Sequence, residues 1–264
     1  ESPRLNIEHL LAHVMGKRRM DLYMEFDRPL SEKELGPLRD LVRRRAQREP
    51  LQHLLGTVEF LGLTLKSDTR ALIPRQETEQ LCEMLVTQAK HADCIWKSGS
   101  IADVGTGSGC IALALANALP ESKVIGLDTS DDALTLAREN AERIGLGTRV
   151  TFSKSDLLSA ADGPLDLIVA NLPYIPTAEL AALQPEVQRD PRSALDGGAD
   201  GLELVRQLMP QASAKLRSGG VLALELGLDQ PAILAPEFSA PGWRDAKILK
   251  DHQGRDRFLF ATHG

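Results

Sequence analysis

The chain has 264 residues, 42% of them hydrophobic, 26% charged and 4% aromatic, with 31 basic against 37 acidic side chains for a net charge of −6. That length supports one large α/β domain plus a small accessory domain, and the negative balance argues against a surface that coats nucleic acid. Collagenous, disulfide-rich, disordered and membrane classes are excluded: three cysteines (Cys82, Cys94, Cys110) make neither a disulfide framework nor a metal spacing, and no apolar run approaches the ~20 residues a membrane span needs. The cysteine usage and the lack of a signal-peptide pattern lead to an expected cytoplasmic location.

Residues 1–50 read as a helical domain. Ile7, Leu10, Leu11 and Val14 recur at helical spacing, as do Leu35, Leu38, Leu41 and Val42. Ser31 and Glu34 have capping-box spacing, Pro37 falls awkwardly inside the second helix, and Pro50 closes it. The run Arg43-Arg44-Arg45-Ala46-Gln47-Arg48 reads either as a solvated helix face or as a docking surface for a partner. Residues 51–79 read as a linker with one hairpin, Val58–Phe60 and Leu63–Leu65, and Ile73-Pro74-Arg75-Gln76-Glu77 is a turn feeding a helix to about Lys90.

Residues 80–264 form the third region. From residue 100, strands Ile101–Val104, Val124–Leu127, Val150–Ser153, Leu165–Ala170 and Val221–Leu226 alternate with helices at Cys110–Ala118, after Ser130, and at 201–216. Two closing strands, Ala246–Leu249 and Phe258–Ala261, suit an antiparallel edge. The pattern predicts an α/β fold, a Rossmann-like seven-stranded and mostly parallel sheet covered on both faces.

Between the first of these strands and its helix lies Asp103-Val104-Gly105-Thr106-Gly107-Ser108-Gly109. Alternate glycines let the backbone turn tightly and approach a ligand closely. The spacing is not the G-x-G-x-x-G of dinucleotide sites, because Cys110 stands where the third glycine belongs, and no Walker lysine follows. G-x-G-x-G is the form used by S-adenosylmethionine-dependent methyltransferases, so Gly105, Thr106, Gly107, Ser108 and Gly109 are candidate cofactor contacts. Asp128, ending the next strand, is placed to accept the ribose hydroxyls. Asp156 after the third strand is placed for the adenine amino group, with Leu157 over the ring. A strand-end Asp is also a common helix cap; two in register with a glycine loop point to a nucleoside.

Asn171-Leu172-Pro173-Tyr174 follows the fourth strand directly and opens on the same crevice. Asn-x-Pro alone is an ordinary turn. Beside a methyl donor, it carries a specific chemistry. An amide or aryl NH2 is a poor nucleophile; the Asn171 side-chain oxygen and the Leu172 carbonyl can each accept one of its hydrogens and aim its lone pair. Pro173 stiffens the turn, Tyr174 stacks on a planar group, and Asn171 also borders the cofactor. Asn171 and Tyr174 are thus the catalytic candidates, and residues 171–174 the acceptor site. His9, His13, His53, His91, His252 and His263 show no metal spacing, and no metal is expected.

With these motifs in place, the chain resembles the bacterial peptide chain release factor N5-glutamine methyltransferases over nearly its whole length. Ser2-Pro3-Arg4-Leu5 with Leu10-Leu11-Ala12-His13-Val14 is similar to that family's opening helix. Arg44-Arg45, Pro50-Leu51-Gln52 and Leu55-Gly56 resemble its linker, and Leu72-Ile73-Pro74-Arg75 with Glu77-Thr78-Glu79 its loop over the cofactor. Pro191, Ala194-Leu195-Asp196-Gly197-Gly198, Asp200-Gly201-Leu202 and Gly254-Arg255-Asp256-Arg257 are further marks. Two positions depart: Leu172 and Gln76 each stand where the family commonly has proline. The resemblance implies a small helical N-terminal domain that docks the substrate, S-adenosylmethionine as cofactor, and the glutamine of the Gly-Gly-Gln motif of release factors as acceptor. It implies no direct nucleic-acid or membrane partner, and a monomer is expected.

Two other readings compete. Asn-Leu-Pro-Tyr is also the form in RNA adenine dimethyltransferases, so an adenine-N6 methyltransferase acting on RNA or DNA is the alternative; those enzymes carry the glycine loop near the N-terminus, whereas about 100 residues precede it here. The 20 basic and 27 acidic residues of 61–264 also lack a phosphate-neutralising surface. A catalytically dead binding module is disfavoured because every chemically required position is filled.

Overall fold

The computed structural model describes residues 2–91 and 93–264. The chain starts with α1 (Pro3–Met15), which has proline in its first turn, where no N–H is needed, and ends on Gly16 at φ 61°. A 3-10 turn, Arg19–Glu25, leads to α2 (Glu32–Ala46), at whose start the Ser31 N–H donates to Glu34 Oε2 at 2.8 Å, so Glu34 makes the reach-back half of the capping box. Pro37 lies inside α2, which continues without its N–H. Next comes α3 (Leu51–Leu55). Leu10, Leu51 and Leu54 form the buried centre of this helical region, with Leu38, Leu41, Val42 and Leu55 half-buried around it.

β1 (Thr57–Phe60) and β2 (Leu63–Lys66) make the expected hairpin. It is no loose tether. Phe60 and Leu65 are buried in the main core with Leu81 and Leu85 of α4 (Gln76–Gln88).

The large domain runs β3 (Ser100–Val104), α5 (Cys110–Ala118), β4 (Lys123–Asp128), α6 (Asp131–Arg143), β5 (Val150–Lys154), β6 (Leu165–Ala170), α7 (Glu203–Lys215), β7 (Leu216–Glu225), α8 (Gln230–Leu234), β8 (Trp243–Lys250) and β9 (Asp256–His263). The sheet order is β5-β4-β3-β6-β7-β9-β8. β3 to β7 are parallel, and β9 is antiparallel to both neighbours. The seven-stranded, mostly parallel sheet is therefore as expected. Strand ends differ: β7 starts five residues early, before an irregular register against β6, and β8 and β9 extend to eight residues each. β8 is the exposed edge, so its outward alternation hides the apolar signal at its ends.

Strand residues alternate between faces. Ile101, Leu167, Val169, Val221 and Ala223 pack under α4, α5 and α6; Ala102, Val104, Ile168, Ala170, Leu222 and Leu224 pack under α7. The order reverses between β3 and β6, and ligands of open α/β sheets bind at the carboxyl ends of strands at such a point.

Between β6 and α7, residues 171–202 carry only three short 3-10 turns, Thr177–Ala182, Val187–Arg189 and Arg192–Ala194. This excursion is closed where the Ile175 N–H donates to the Leu195 carbonyl (3.0 Å) and the Gly197 N–H to the Ile175 carbonyl (2.9 Å).

Candidate active site

Val104 pairs with Ala170 across β3 and β6, so Gly105 and Asn171 leave the sheet side by side. Gly105, Gly107 and Gly109 take φ of 73°, 54° and 82°, conformations costly for any residue with a Cβ. A Cβ on Gly105 would lie 2.9 Å from Leu172 Cδ2, so the two predicted motifs touch through this glycine. The Gly105 and Thr106 N–H groups both donate to the Leu127 carbonyl (2.8 and 2.9 Å), bending the loop back over the end of β4.

Beneath the loop, Asp103 is fully buried. Its Oδ2 accepts from the Thr106 hydroxyl (2.6 Å) and the Ala112 N–H (3.0 Å), while Oδ1 has no partner. Burial pushes its pKa up to about 7 against those two hydrogen bonds. Asn140 of α6 holds the loop from the other side. Its Nδ2 donates to the Ser108 carbonyl (2.9 Å) and its Oδ1 accepts the Lys66 N–H (2.6 Å), joining β2 to the glycine loop.

The loop opens on a cleft enclosing about 1040 Å³ of empty space, mouth included. Gly105, Thr106, Gly107, Ser108, Asp128, Asp156, Leu157, Asn171, Leu172 and Pro173 all line it, brought together from the ends of four parallel strands. Gly109 and Tyr174 are not in the lining. Gly109 caps α5, where a Cβ would meet Ala137, Phe152 and Leu113 within 3.1–3.3 Å. Tyr174 lies beyond, with its ring edge beside Gly227; burial pushes its hydroxyl up to about 12, so the phenol is neutral. Arg70, Ala71, Leu72 and Pro74 roof the cleft from the segment after β2.

The cleft fits S-adenosylmethionine. Asp128, half-buried on its wall, accepts the Gly107 N–H at Oδ2 and the Ser130 N–H at Oδ1 (2.9 Å each), which leaves each oxygen a lone pair for a hydroxyl. Ser108, whose buried hydroxyl has no hydrogen-bond partner, also contributes to the lining. Leu157, at φ 49°, is held buried beside exposed Asp156, an apolar cover next to an acceptor as a purine ring requires.

Asn171 points to the α4 face of the sheet and its Nδ2 donates to Thr78 Oγ1 at 3.1 Å, so its Oδ1 is the atom left to accept. The following turn is clamped from below: a Cβ on Gly197 would fall 2.5 Å from the Pro173 carbonyl, and one on Gly201 (φ 76°) 2.1 Å from the Tyr174 carbonyl. Gln230 Nε2 donates to that same Tyr174 carbonyl at 2.8 Å. The stretch at 194–202 thus requires small residues where another backbone passes close.

Residues assigned only to the loop over the cofactor, or to no role at all, complete the site. Three side chains of the Arg75–Glu79 segment tie down different neighbours. Arg75 pairs with buried Asp190 (2.7 Å), Glu77 with Arg255 (3.2 Å), and Glu79 Oε1 accepts the Leu61 N–H (2.9 Å) in the hairpin turn. Glu225, the last residue of β7, is also buried here. A charged residue ending the run Val221-Leu222-Ala223-Leu224 was its available signal. The arginine run is neither simply solvated nor free. Arg45 and Arg48 both reach Glu186 (3.1 Å each), tying the helical region to the excursion after Asn171.

Comparison with known proteins places these features. Residues 1–56 match the family model described as the PrmC N-terminal domain, and residues 101–190 one described as a methyltransferase domain. The release factor glutamine methyltransferase of Geobacter sulfurreducens is 46% identical over 261 residues, covering 98% of this chain and 89% of the relative. That of Moorella thermoacetica is 43% identical, covering 99% and 92%. Among solved structures, the ribosomal protein L11 methylase of Lactobacillus delbrueckii subsp. bulgaricus (TM-score 0.53, 23% identity, 75% of this chain and 85% of that one) shares the fold. So does the 16S rRNA N2 G1207 methyltransferase of T. thermophilus, solved with AdoMet and guanosine (TM-score 0.52, 20% identity, 78% and 49%).

Proposed function

The chain belongs to the release factor glutamine methyltransferase family, and from that premise we propose that it transfers a methyl group from S-adenosylmethionine to the side-chain amide nitrogen of the glutamine in the Gly-Gly-Gln motif of release factors. The observation that carries the reading is Asn171: its amide nitrogen is occupied by Thr78, so its oxygen is an acceptor at the wall of the cofactor cleft.

When bound, S-adenosylmethionine supplies an electrophilic methyl carbon on its sulfonium. The chain does the positioning. Asn171 Oδ1 and the Leu172 carbonyl accept the two N–H groups of the glutamine amide, turning its lone pair toward the methyl. These fixed dipoles also stabilise the positive charge that grows on nitrogen as the N–C bond forms and the C–S bond breaks. The nitrogen then loses a proton to water and returns to a neutral amide. Tyr174, beyond the cleft lining, anchors the far end of the turn, its carbonyl accepting from Gln230 Nε2. Leu172 serves through its backbone, so its departure from proline keeps the acceptor atom. Asp128 would take the ribose hydroxyls, Asp156 the adenine amino group, Leu157 the ring, and Gly105 to Ser108 the methionine side, with Gly109 starting the helix behind them.

Residues 1–50 dock the release factor, 51–79 connect, and 80–264 carry the chemistry. On the 3-10 turn after α1, Met20, Tyr23, Met24 and Phe26 are exposed, Met24 and Phe26 at 85% and 86%, an apolar surface such a partner would cover. The substrate places the reaction in the cytoplasm, and no helix among the described residues is long and apolar enough to cross a membrane. The protein acts as a monomer, without direct nucleic-acid contact.

The test is incubation with methyl-labelled cofactor and, separately, release factor, release factor with its Gly-Gly-Gln glutamine changed to alanine, and ribosomal RNA. Label is expected in the intact release factor alone. Label in RNA would overturn the assignment and favour the adenine-N6 alternative, and label in the alanine variant would overturn the choice of that glutamine as acceptor.

A further inference from the structure

Glu225 has no role in the reaction as described, yet its position is costly. It ends a strand whose inner residues are apolar, is 2% exposed, and its Oε2 has no hydrogen-bond partner. No Lys or Arg among the described residues pairs with it. The nearby Arg257 guanidinium spends Nη1 on the Leu226 carbonyl (2.9 Å). A lone carboxylate in such a place is expensive to keep without a function.

Its neighbours follow from register. Ala170 pairs with Leu224, so the next residues, Asn171 and Glu225, leave adjacent parallel strands together. Both continue the alternation that faces α4, and Thr78 in the first turn of α4 is the side chain above them. The Thr78 hydroxyl and the Asn171 amide are the two uncharged groups that favour ionised Glu225.

We infer that Glu225, together with Thr78, fixes which end of the Asn171 amide faces the acceptor, holding Nδ2 inward so that Oδ1 points to the glutamine NH2. Glu225 and Thr78 are positioning residues in this scheme, and it rests on the acceptor role given to Asn171 above. The argument is one of donor and acceptor counting. The two ends of an asparagine amide have nearly the same shape, and a hydroxyl alone can donate or accept, so Thr78 by itself selects neither end. An ionised carboxylate only accepts. It draws the Thr78 hydrogen toward itself and leaves the Thr78 lone pair for an Asn171 N–H, the observed contact at 3.1 Å. The flipped amide would set Oδ1 against Thr78 and the carboxylate, acceptor on acceptor, and present an N–H to the N–H of the substrate.

Protonation removes that bias, since a carboxylic acid has a hydrogen to donate. Burial pushes Glu225 up to about 7; Thr78, Arg257 and Asn171 pull it down and Glu77 pushes it up. Tyr174, Cys82 and Cys110 also feel its charge and are themselves driven toward their neutral forms by burial. The ionised, orienting form is therefore lost as pH falls through neutrality.

The test uses the full chain with intact release factor. Glu225→Gln restores an amide that both donates and accepts, so it is expected to lower kcat by about 100-fold while the cofactor Kd stays within about twofold. Wild-type kcat should fall on the acid side of pH 7, and Glu225→Gln should lose that limb. Thr78→Val should resemble Glu225→Gln, and Thr78→Ser should recover most of the rate that valine loses. Wild-type rate with an unchanged acid limb in Glu225→Gln would overturn the inference, as would equal rates for Thr78→Val and Thr78→Ser. If Glu225→Gln does not fold, the Thr78 pair decides. Asn171→Ala separates the two levels: a fully active Asn171→Ala sinks the acceptor role itself, whereas an inactive one beside a normal Glu225→Gln sinks only the positioning role.

Discussion

Carboxylates in the helical region and at the rim of the sheet are perturbed in opposite directions. Arg19 and Arg4 hold Glu8 down to about 2, and Arg28 with the Ser31 N–H holds Glu34 down to about 2. At the rim, burial pushes Asp103 and Glu225 up to about 7 and Asp190 up to about 6. The first set are surface acids that found a partner, worth little each and screened by salt. The second set are kept in the interior against their own solvation, where they order a loop or a side chain. The helical region is held by three buried leucines and a network of exposed pairs; the rim is held by strand register and buried polar contacts. Where a protein tolerates buried, underpaired acid groups, its chemistry is close by.

The contrast is broken most severely at Asn171. Asn171→Ala should lower kcat for release factor by about 1000-fold, the scale of losing a preorganised transition-state dipole, with cofactor affinity by calorimetry nearly unchanged. In the helical region the corresponding weak point is packing. Leu10→Ala should cost about 2–5 kcal/mol, enough to melt the small core while the sheet domain persists. Thermal unfolding should then split into two steps, and cofactor binding should survive. Asp128→Ala should weaken cofactor binding by about tenfold or more, from loss of a charged acceptor, and unchanged affinity would remove its ribose assignment. Met24→Glu with Phe26→Glu should raise KM for release factor by about tenfold, the scale of losing a buried apolar contact, with melting temperature and cofactor Kd unchanged. An unaltered KM would place the docking surface elsewhere.

The smallest effect is the sign of the pH dependence. Glu8 and Glu34 have folded pKa values below their ordinary 4.5, so the stability they contribute is present above that pH and is lost as pH falls from 4.5 toward 2. Asp103 has a folded value above its ordinary 3.8, so between about 4 and 7 the folded state holds a proton that the unfolded chain has released. Its contribution therefore declines as pH rises through that window. Urea midpoints measured from pH 4 to 8 should fall for the sheet domain, and the fall should be shallower in Asp103→Asn.

Much of the molecule could be read directly from residue order. The strand–helix alternation, the glycine loop with Asp128, and Asn171-Leu172-Pro173-Tyr174 are contiguous patterns whose local geometry follows from residue type. Phe60 and Leu65 were different: the hairpin looked like part of a linker because its partners, Leu81 and Leu85, sit on a helix that follows it. The arginine run was ambiguous for the same reason, since Glu186 is 138 residues from Arg48. Glu225 and Thr78 carried faint signals, an acid closing an apolar strand and a threonine in an amphipathic helix.

The sequence by itself determined the layered α/β architecture, the order of its elements and the backbone freedom of the glycine loop, because periodicity, capping and φ preference act over a few residues. Tertiary structure alone decided that Val104 meets Ala170 and Ala170 meets Leu224, and with that which side chains stand together around Asn171. Strand register is a long-range choice made by the whole core. A donor or acceptor acquires its direction only from neighbours that the chain delivers from far away.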